Sequence, residues 1–495
     1  MELKTLNGLG LPLAPIGDSV DFAGFSQLLM NKPLSRSASA RTSVVLAVIS
    51  IVMTASSLRA QTSYFQEPAR EQLLNGLQIL VWQRPGDQDV LLKMRVHSGA
   101  AFDLAGKAGM MALLGDALFP DAETRQYFTD ELAGRLEVVT DYDAITITMS
   151  GRARGFERMV EMLRNALVAT PLSPENVAKL REARIKVLRE TSVSPSQVAD
   201  RAIAARLFGE FPYGRPAAGS AESVGRIDRG DLMLARERFL NADNATLVVA
   251  GSLDERRMMR TLRQLLGNWH KSDRAVPATF RQPDAPDLRP LIVNQPGAAD
   301  AEIRLATRGL ARADRDYLAA SLLAVIARER WQAALPELSR APVFARHEAH
   351  MLPGIFVLGA AVKNANAAKT IVAAQTVIRS LVTTPPSATE MDRARNETNA
   401  EIIRQASQPN SVAGLWLDAE TFKLSSFAQQ ASSLRAVTTD DVKNVAVRLF
   451  KDNQIATVVI GSYDEMKENL TPLGKIEILG DPSSRPAPPT PAKKP

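Results

Sequence analysis

The sequence predicts an α+β fold of two homologous domains, each a mostly antiparallel sheet covered by helices on one face. Three observations predict it. The chain repeats itself: displaced by 210 residues, Ile227–Asp254 lies over Val437–Asp464 without a gap. Asp231 falls on Asp441, Arg238 on Arg448, Val248-Val249 on Val458-Val459 and Gly251-Ser252 on Gly461-Ser462. Each copy reads as an amphipathic helix, a turn and a buried strand, and a period this long marks duplicated domains rather than a solenoid. Short alternating strands and longer helical stretches follow one another in the first copy, as an antiparallel sheet with covering helices requires. Between the copies, Lys271 to Arg289 carries Pro277, Pro283, Pro286 and several charges, the composition of a linker.

The expected boundaries are 68–275 and 289–472 for the two domains, with 276–288 between them. Within the first, Asn75-Gly76 is a hairpin signal. Leu77–Gln83 and Val90–His97 read as strands around the Pro85-Gly86-Asp87 turn, and Lys107–Phe119 reads as an apolar helix. Leu136–Val139 and Ala144–Ser150 are strands, the second alternating Ile145, Ile147 and Met149, and Arg154–Ala169 and Pro174–Val193 are helical. Residues 473–495 are expected to be a disordered tail, since DPSSRPAPPTPAKKP at its end has nothing with which to build a core.

Residues 1–60 are expected to be an upstream stretch and an export signal. Arg36 and Arg41 precede an apolar segment at about 43–55, and small residues follow it. Cleavage is expected after Ser57 or Ala60, with Met30 as an alternative start; an uncleaved N-terminal anchor is the competing reading. These features predict a periplasmic or otherwise extracytoplasmic protein. The chain has no cysteine, so export brings no disulfide and no lipoprotein anchor. The net charge of +6 is spread over the sequence rather than striped, which argues against nucleic-acid binding.

Several segments resemble the insulinase / pitrilysin / mitochondrial processing peptidase family. Leu74-Asn75-Gly76-Leu77 is similar to its opening L-x-N-G-[LM]. Phe211-Pro212-Tyr213-Gly214-Arg215-Pro216, with Gly219 and Glu222, is similar to h-P-Y-G-x-P-x-x-G-x-x-E. Gly109–Phe119 resembles the family's zinc helix, G-[LM]-A-H-x-L-E-H-x-L-F, with the frame kept at Gly109, Leu114, Leu118 and Phe119. The metal chemistry is absent from it. The first His is Ala112, the general-base Glu is Gly115 and the second His is Asp116. Two His at i and i+4 share one helix face and hold one Zn²⁺, a neighbouring Glu activates its water, and a distal carboxylate completes the site. Ala and Gly supply no donor, and one carboxylate does not make a metal site.

The resemblance implies further positions. Glu190 stands in the distal-ligand place of a motif like E-R-x-V-x-x-x-E, and Ala183 replaces its upstream Glu. In the stretch resembling the substrate-contacting N-A-x-T-x-x-D, Thr140 and Asp143 fit while Glu137 replaces the Asn. Pro336 and Phe344 stand near the places of an Arg and a Tyr that hold peptide in the family. His347 and His350 are close in sequence, but at i and i+3 of a strand they point to opposite faces and predict no metal site. The resemblance therefore implies an insulinase-family homologue with no cofactor, zinc being that of active members, and with no catalytic residues. It would serve as a non-catalytic subunit of an active family member, or as a homodimer, with unfolded peptide as a ligand. A structural scaffold in an envelope complex is the alternative. A remodelled metal site on Asp116 and Glu190 is a second alternative, and it would need a hard, oxygen-preferring ion.

Overall fold

The computed structural model describes residues 67–169, 172–272, 280–335, 343–451 and 454–480. The expected export segment, Pro336 and the closing Pro-rich run lie outside the described residues. Two six-stranded sheets organise the rest. The first contains β1 (Ala69–Gln72), β2 (Gln78–Gln83), β3 (Asp89–Val96), β4 (Arg135–Thr140), β5 (Ile145–Arg152) and β6 (Ala245–Gly251), in the order β1-β2-β6-β3-β5-β4. The second contains β7 (Leu291–Asn294), β8 (Asp300–Arg308), β9 (Val343–Glu348), β10 (Ile355–Lys363), β11 (Ala456–Gly461) and β12 (Glu477–Leu479), in the order β12-β7-β11-β8-β10-β9. From the second strand onward the two orders agree, and the first strands differ, β1 preceding its sheet in sequence and β12 following it. β2–β6 and β7–β11 are the matching parallel pairs, β12–β7 is also parallel, and the remaining pairs are antiparallel.

Helices follow in the same order in both halves, except that α2 has no counterpart among the described residues of the second. The first half has α1 (Met110–Leu118), α2 (Ala122–Asp130), α3 (Phe156–Val168), α4 (Pro174–Glu190), α5 (Pro195–Phe208), α6 (Ala221–Gly225), α7 (Arg229–Phe239) and α8 (Glu255–Leu266). The second has α9 (Tyr317–Ala333), α10 (Ala367–Thr383), α11 (Ala388–Gln405), α12 (Pro409–Phe422), α13 (Phe427–Ala436), α14 (Thr439–Phe450) and α15 (Tyr463–Met466). The repeat seen in the sequence is α7–β6 and α14–β11. Its invariant acids do the same work twice: Asp231 closes a capping box with Asp228, and Asp441 closes one with Thr438. Each box satisfies helix N–H groups that would otherwise lack an acceptor.

Both sheets are covered on their second face as well, which the sequence reading did not anticipate. α5 leaves the first half and lies on the second sheet, where Ala199, Ile203, Leu207 and Phe208 pack with Val357, Val458 and Ile460. α12 leaves the second half and lies on the first sheet, where Val412, Ala413, Trp416 and Leu417 pack with Leu80, Leu91, Val248 and Ala250. Trp416 meets Trp82 edge to face at 5.2 Å. Full burial of each large apolar side chain there is worth about 1.5–3 kcal/mol. An arginine on the strand next to the repeated one keys each exchanged helix, Arg95 two residues further along than the position equivalent to Arg304. Arg95 of β3 reaches Asp418 of α12 at 2.5 Å, and Arg304 of β8 reaches Asp200 of α5 at 2.6 Å. Arg304 has no solvent exposure and also donates to Glu302 and Ser196. His97 lies under α12 between Thr421 and Thr246, 2.9 Å from each hydroxyl, and burial beside Arg95 holds its pKa down to about 3.

Other expectations need adjustment. The apolar helix begins at Met110, not Lys107, because Gly109 takes a left-handed conformation with φ 93°. The helix expected to run to Val193 stops at Glu190, and Ser194 with Pro195 starts α5 through a capping box with Gln197. Glu477–Leu479, placed in the disordered tail, pair with β7 as β12.

Candidate functional site

α1 carries the site. Its entry is set by glycine: a Cβ on Gly109 would lie 2.9 Å from the Ala218 carbonyl oxygen and 3.0 Å from the Gly219 Cα. Gly219 is itself at φ 77°, so two motif glycines distant in sequence meet back to back. Asp103, which the sequence reading missed, anchors the helix start. Its carboxyl oxygens accept from Gly109 N at 2.6 Å and Met111 N at 2.8 Å. Burial pushes its pKa up to about 7 although those N–H groups favour the charged form. Arg215, from the Phe-Pro-Tyr-Gly-Arg-Pro segment, donates to the carbonyl oxygens of Leu104 and Asp103 and pins the loop from outside. Asp103 lies six residues before the helix cap, too far for a capping pattern to reveal it.

The former metal positions can now be taken in turn. Ala112 is buried, as are Met111, Leu114 and Leu118 around it, all in the core of the first half. Gly115 faces β4 and β5. A Cβ there would come within 2.7 Å of Thr140 Oγ1, 3.5 Å of Val138 Cγ1 and 3.7 Å of Ile145 Cγ2. A side chain there would require the Thr140 hydroxyl to turn aside, while Val138 and Ile145 lie at ordinary contact distance. Asp116 is partly exposed, and its Oδ2 accepts from Arg184 Nη1 at 2.5 Å. Arg184 also donates from Nε to the Ala218 carbonyl oxygen. A guanidinium now balances the carboxylate at the second-His position.

Glu190 and Arg184 are both on α4, but they cannot face α1 together. Six residues apart, they differ by about 120° around the helix and about 9 Å along it. Arg184 faces Asp116, while the exposed Glu190 has Lys186 Nζ at 4.0 Å. Ala183 lines, with Ala117, Leu118 and Leu180, a cavity of about 620 Å³ between α1, α3 and α4. Among the described residues no three His, Asp or Glu side chains gather as metal ligands. Ala112 and Gly115 supply no donor and Asp116 is held by arginine, a set that does not fit zinc.

The three positions implied as substrate contacts lie elsewhere on the same junction. Thr140 ends β4 and packs on Gly115. Asp143, buried in the β4–β5 turn, accepts from His350 Nδ1 at 2.8 Å and Met351 N at 2.9 Å, tying the two halves. Phe344 of β9 lies over Gly359 between the guanidinium groups of Arg304 (4.9 Å) and Arg346 (4.4 Å). His347 accepts from Leu310 N and is turned away from His350, so the pair is not a shared site. Beside this junction β4 is the free edge of the first sheet, with Val139 exposed on it.

Comparison with known proteins bears on the fold that carries this site. The family model described as the peptidase M16 inactive domain matches residues 226–398, a segment that begins after the α1 site. An uncharacterized zinc protease of Rickettsia bellii is 18% identical over 209 residues, 41% of this chain and 50% of that protein. The chain thus spans about half the length of the curated relatives it matches. Among solved structures, a protease from Helicobacter pylori superposes with a TM-score of 0.72 at 17% identity, covering 80% of this chain and all of that one. The first half of the periplasmic protease PqqL from Escherichia coli superposes with a TM-score of 0.67 at 15% identity, covering 82% and 94%. At these identities the structural likeness shows a shared fold. With the matched inactive-domain segment, it shows a chain similar in fold to M16-like peptidases, with Ala112, Gly115 and Asp116 where the resembling zinc helix has its His and Glu residues.

Proposed function

We propose that this chain is a non-catalytic peptidase homologue that holds extended peptide and completes an assembly with an active zinc-bearing family member. Gly115 carries the reading. A single lost ligand leaves room for repair, but here Ala112 and Gly115 both lack a donor, Thr140 Oγ1 stands where a Cβ on Gly115 would go, and Asp116 is paired with Arg184. The free edge of β4 supports peptide binding, because an unpaired strand offers its N–H and C=O groups to an incoming segment. The apolar run at 43–55 and the periplasmic source of one structural neighbour support an extracytoplasmic location. Among the described residues no helix is long and apolar enough to cross a membrane.

The test uses the full chain in two measurements. Recombinant protein is incubated with unfolded peptide with and without a chelator, and native envelope extracts are probed for a co-purifying subunit with an intact H-x-x-E-H helix. The expected result is no chelator-sensitive cleavage, saturable peptide binding weakened by Val139→Pro, and recovery of an active partner. Cleavage by the isolated chain overturns the reading. Recovery in an assembly with no peptidase subunit and no peptide binding favours the scaffold instead.

A further inference from the structure

We infer that His350 and Asp143 form a proton-operated clasp between the two halves of the molecule. The inference is independent of what binds at the β4 edge. The clasp is built from both sides. The second half supplies the short loop after β9, and the first half supplies the β4–β5 turn and Tyr213. Three bonds join them: His350 Nδ1 donates to Asp143 Oδ2 at 2.8 Å, Met351 N to Asp143 Oδ1 at 2.9 Å and Leu352 N to Tyr213 Oη at 3.0 Å. The imidazole sits against two aromatic rings, with centroids 4.7 Å from Tyr213 and 5.2 Å from Tyr142. Tyr142 is fixed in turn by its hydroxyl donating to the Arg215 carbonyl oxygen.

The charged groups around the imidazole come from every element packed on it. Asp141 and Asp143 lie on the β4–β5 turn, and Arg346 and Glu348 of β9 with Asp200 and Arg201 of α5 line, together with His350, a cavity of about 200 Å³. Arg346 is already held by Glu348 at 3.0 Å and by Asp200 at 3.4 Å. Acidic groups therefore outnumber free cationic ones at the ring. Burial opposes its protonation, but the bond to Asp143 and the pull of Asp143, Asp141 and Glu348 outweigh it and raise its pKa above the ordinary 6.5. The sign follows: a raised folded-state pKa means the bond is at full strength below the unfolded value and weakens as pH rises through the elevated one. Asp143 sits in the turn that follows β4, which Asp141 closes by accepting from Asp143 N and Ala144 N at 2.8 Å, so the clasp is built onto the end of an edge strand.

Hydrogen–deuterium exchange on the full chain tests this, because exchange at imidazole carbon reports the midpoint of each histidine and amide exchange reports the loop. His350 is expected to titrate above 6.5, and in Asp143→Asn to fall to that value or lower. Amide protection of 350–352, corrected for intrinsic rate, is expected to drop as pH rises through the midpoint, by about tenfold for each unit of elevation. His350→Gln should remove this pH dependence, and His270→Gln should leave it intact. A His350 midpoint at or below 6.5 overturns the clasp. So does a wild-type pH profile of protection in His350→Gln, which is read even where Asp143→Asn does not fold.

Discussion

The contact of α1 with α4 in the first half and of α9 with α11 in the second is the same piece of fold used twice, with different chemistry. In the second half it is an ion-pair seam. Arg328 grips Glu397 with both guanidinium arms at 2.6 and 2.7 Å, Arg330 reaches Glu390 at 2.7 Å, and Arg393 lies 3.6 Å from Glu329. In the first half, where relatives with an intact motif would hold a metal, there is one pair, Arg184 with Asp116, with the polarity of the Arg393–Glu329 pair and opposite to the other two. The difference teaches that side-chain ion pairs join the equivalent helices in both halves, through one acid of α1 in the first and mainly through arginines of α9 in the second. The first half kept the tight backbone approach at Gly109 and Gly219, which is why the motif frame survives without its ligands.

Changes that force the halves apart in chemistry should separate them in stability. The largest effect is expected from Gly115→Glu, which restores the lost carboxylate against the Thr140 hydroxyl. Overpacking and a buried charge should cost about 4 kcal/mol, read by urea denaturation, without creating peptidase activity. Next is the comparison of the two exchanged helices. Arg304→Ala removes a fully buried cation and leaves Asp200 and Glu302 facing each other's charge, for about 3 kcal/mol, whereas the more accessible Arg95→Ala should cost about half as much. Equal losses would show that the exchange is not anchored differently in the two sheets. Asp116→Ala leaves Arg184 with only the Ala218 carbonyl and should cost roughly 1 kcal/mol, since the pair is partly screened. Glu397→Ala, in the more exposed pair, should cost less.

Acid should distinguish the halves by sign. Arg330 beside Glu390 holds its carboxyl down to about 2, so the second half keeps that contribution above 4.5 and loses it as pH falls towards 2. Asp103 is the reverse case: with its pKa raised to about 7, its contribution is greatest below 3.8 and declines as pH rises through 7. Amide exchange should therefore show the N-terminus of α11 loosening on acidification while that of α1 holds. Asp103→Asn should abolish the rise in stability between neutral pH and about pH 4.

Much of the fold was legible because the repeat is local. Helix α7 with β6 and α14 with β11 carry matching caps and apolar positions that can be read residue by residue. The exchange of α5 and α12 was not legible. Ala199, Ile203 and Leu207 show that α5 has an apolar stripe, but no local signal says which sheet will cover it. At the site, the loss of donors at Ala112 and Gly115 was plain in the letters. The partner of Asp116 was not, because Arg184 is 68 residues away and sits on the same helix as Lys186 and Glu190, an equally plausible local pairing on charge alone. The closing of Gly115 by Thr140 depends on how tightly α1 approaches β4, a distance that no sequence pattern encodes.

Elemental analysis of the purified chain, run beside Asp116→Ala and a peptide-cleavage assay, tests the central claim most directly. Ala112 and Gly115 without donors and an arginine-held Asp116 predict zinc far below one equivalent, unchanged by the substitution, and no chelator-sensitive cleavage. One equivalent of metal that is lost in Asp116→Ala together with cleavage would contradict it.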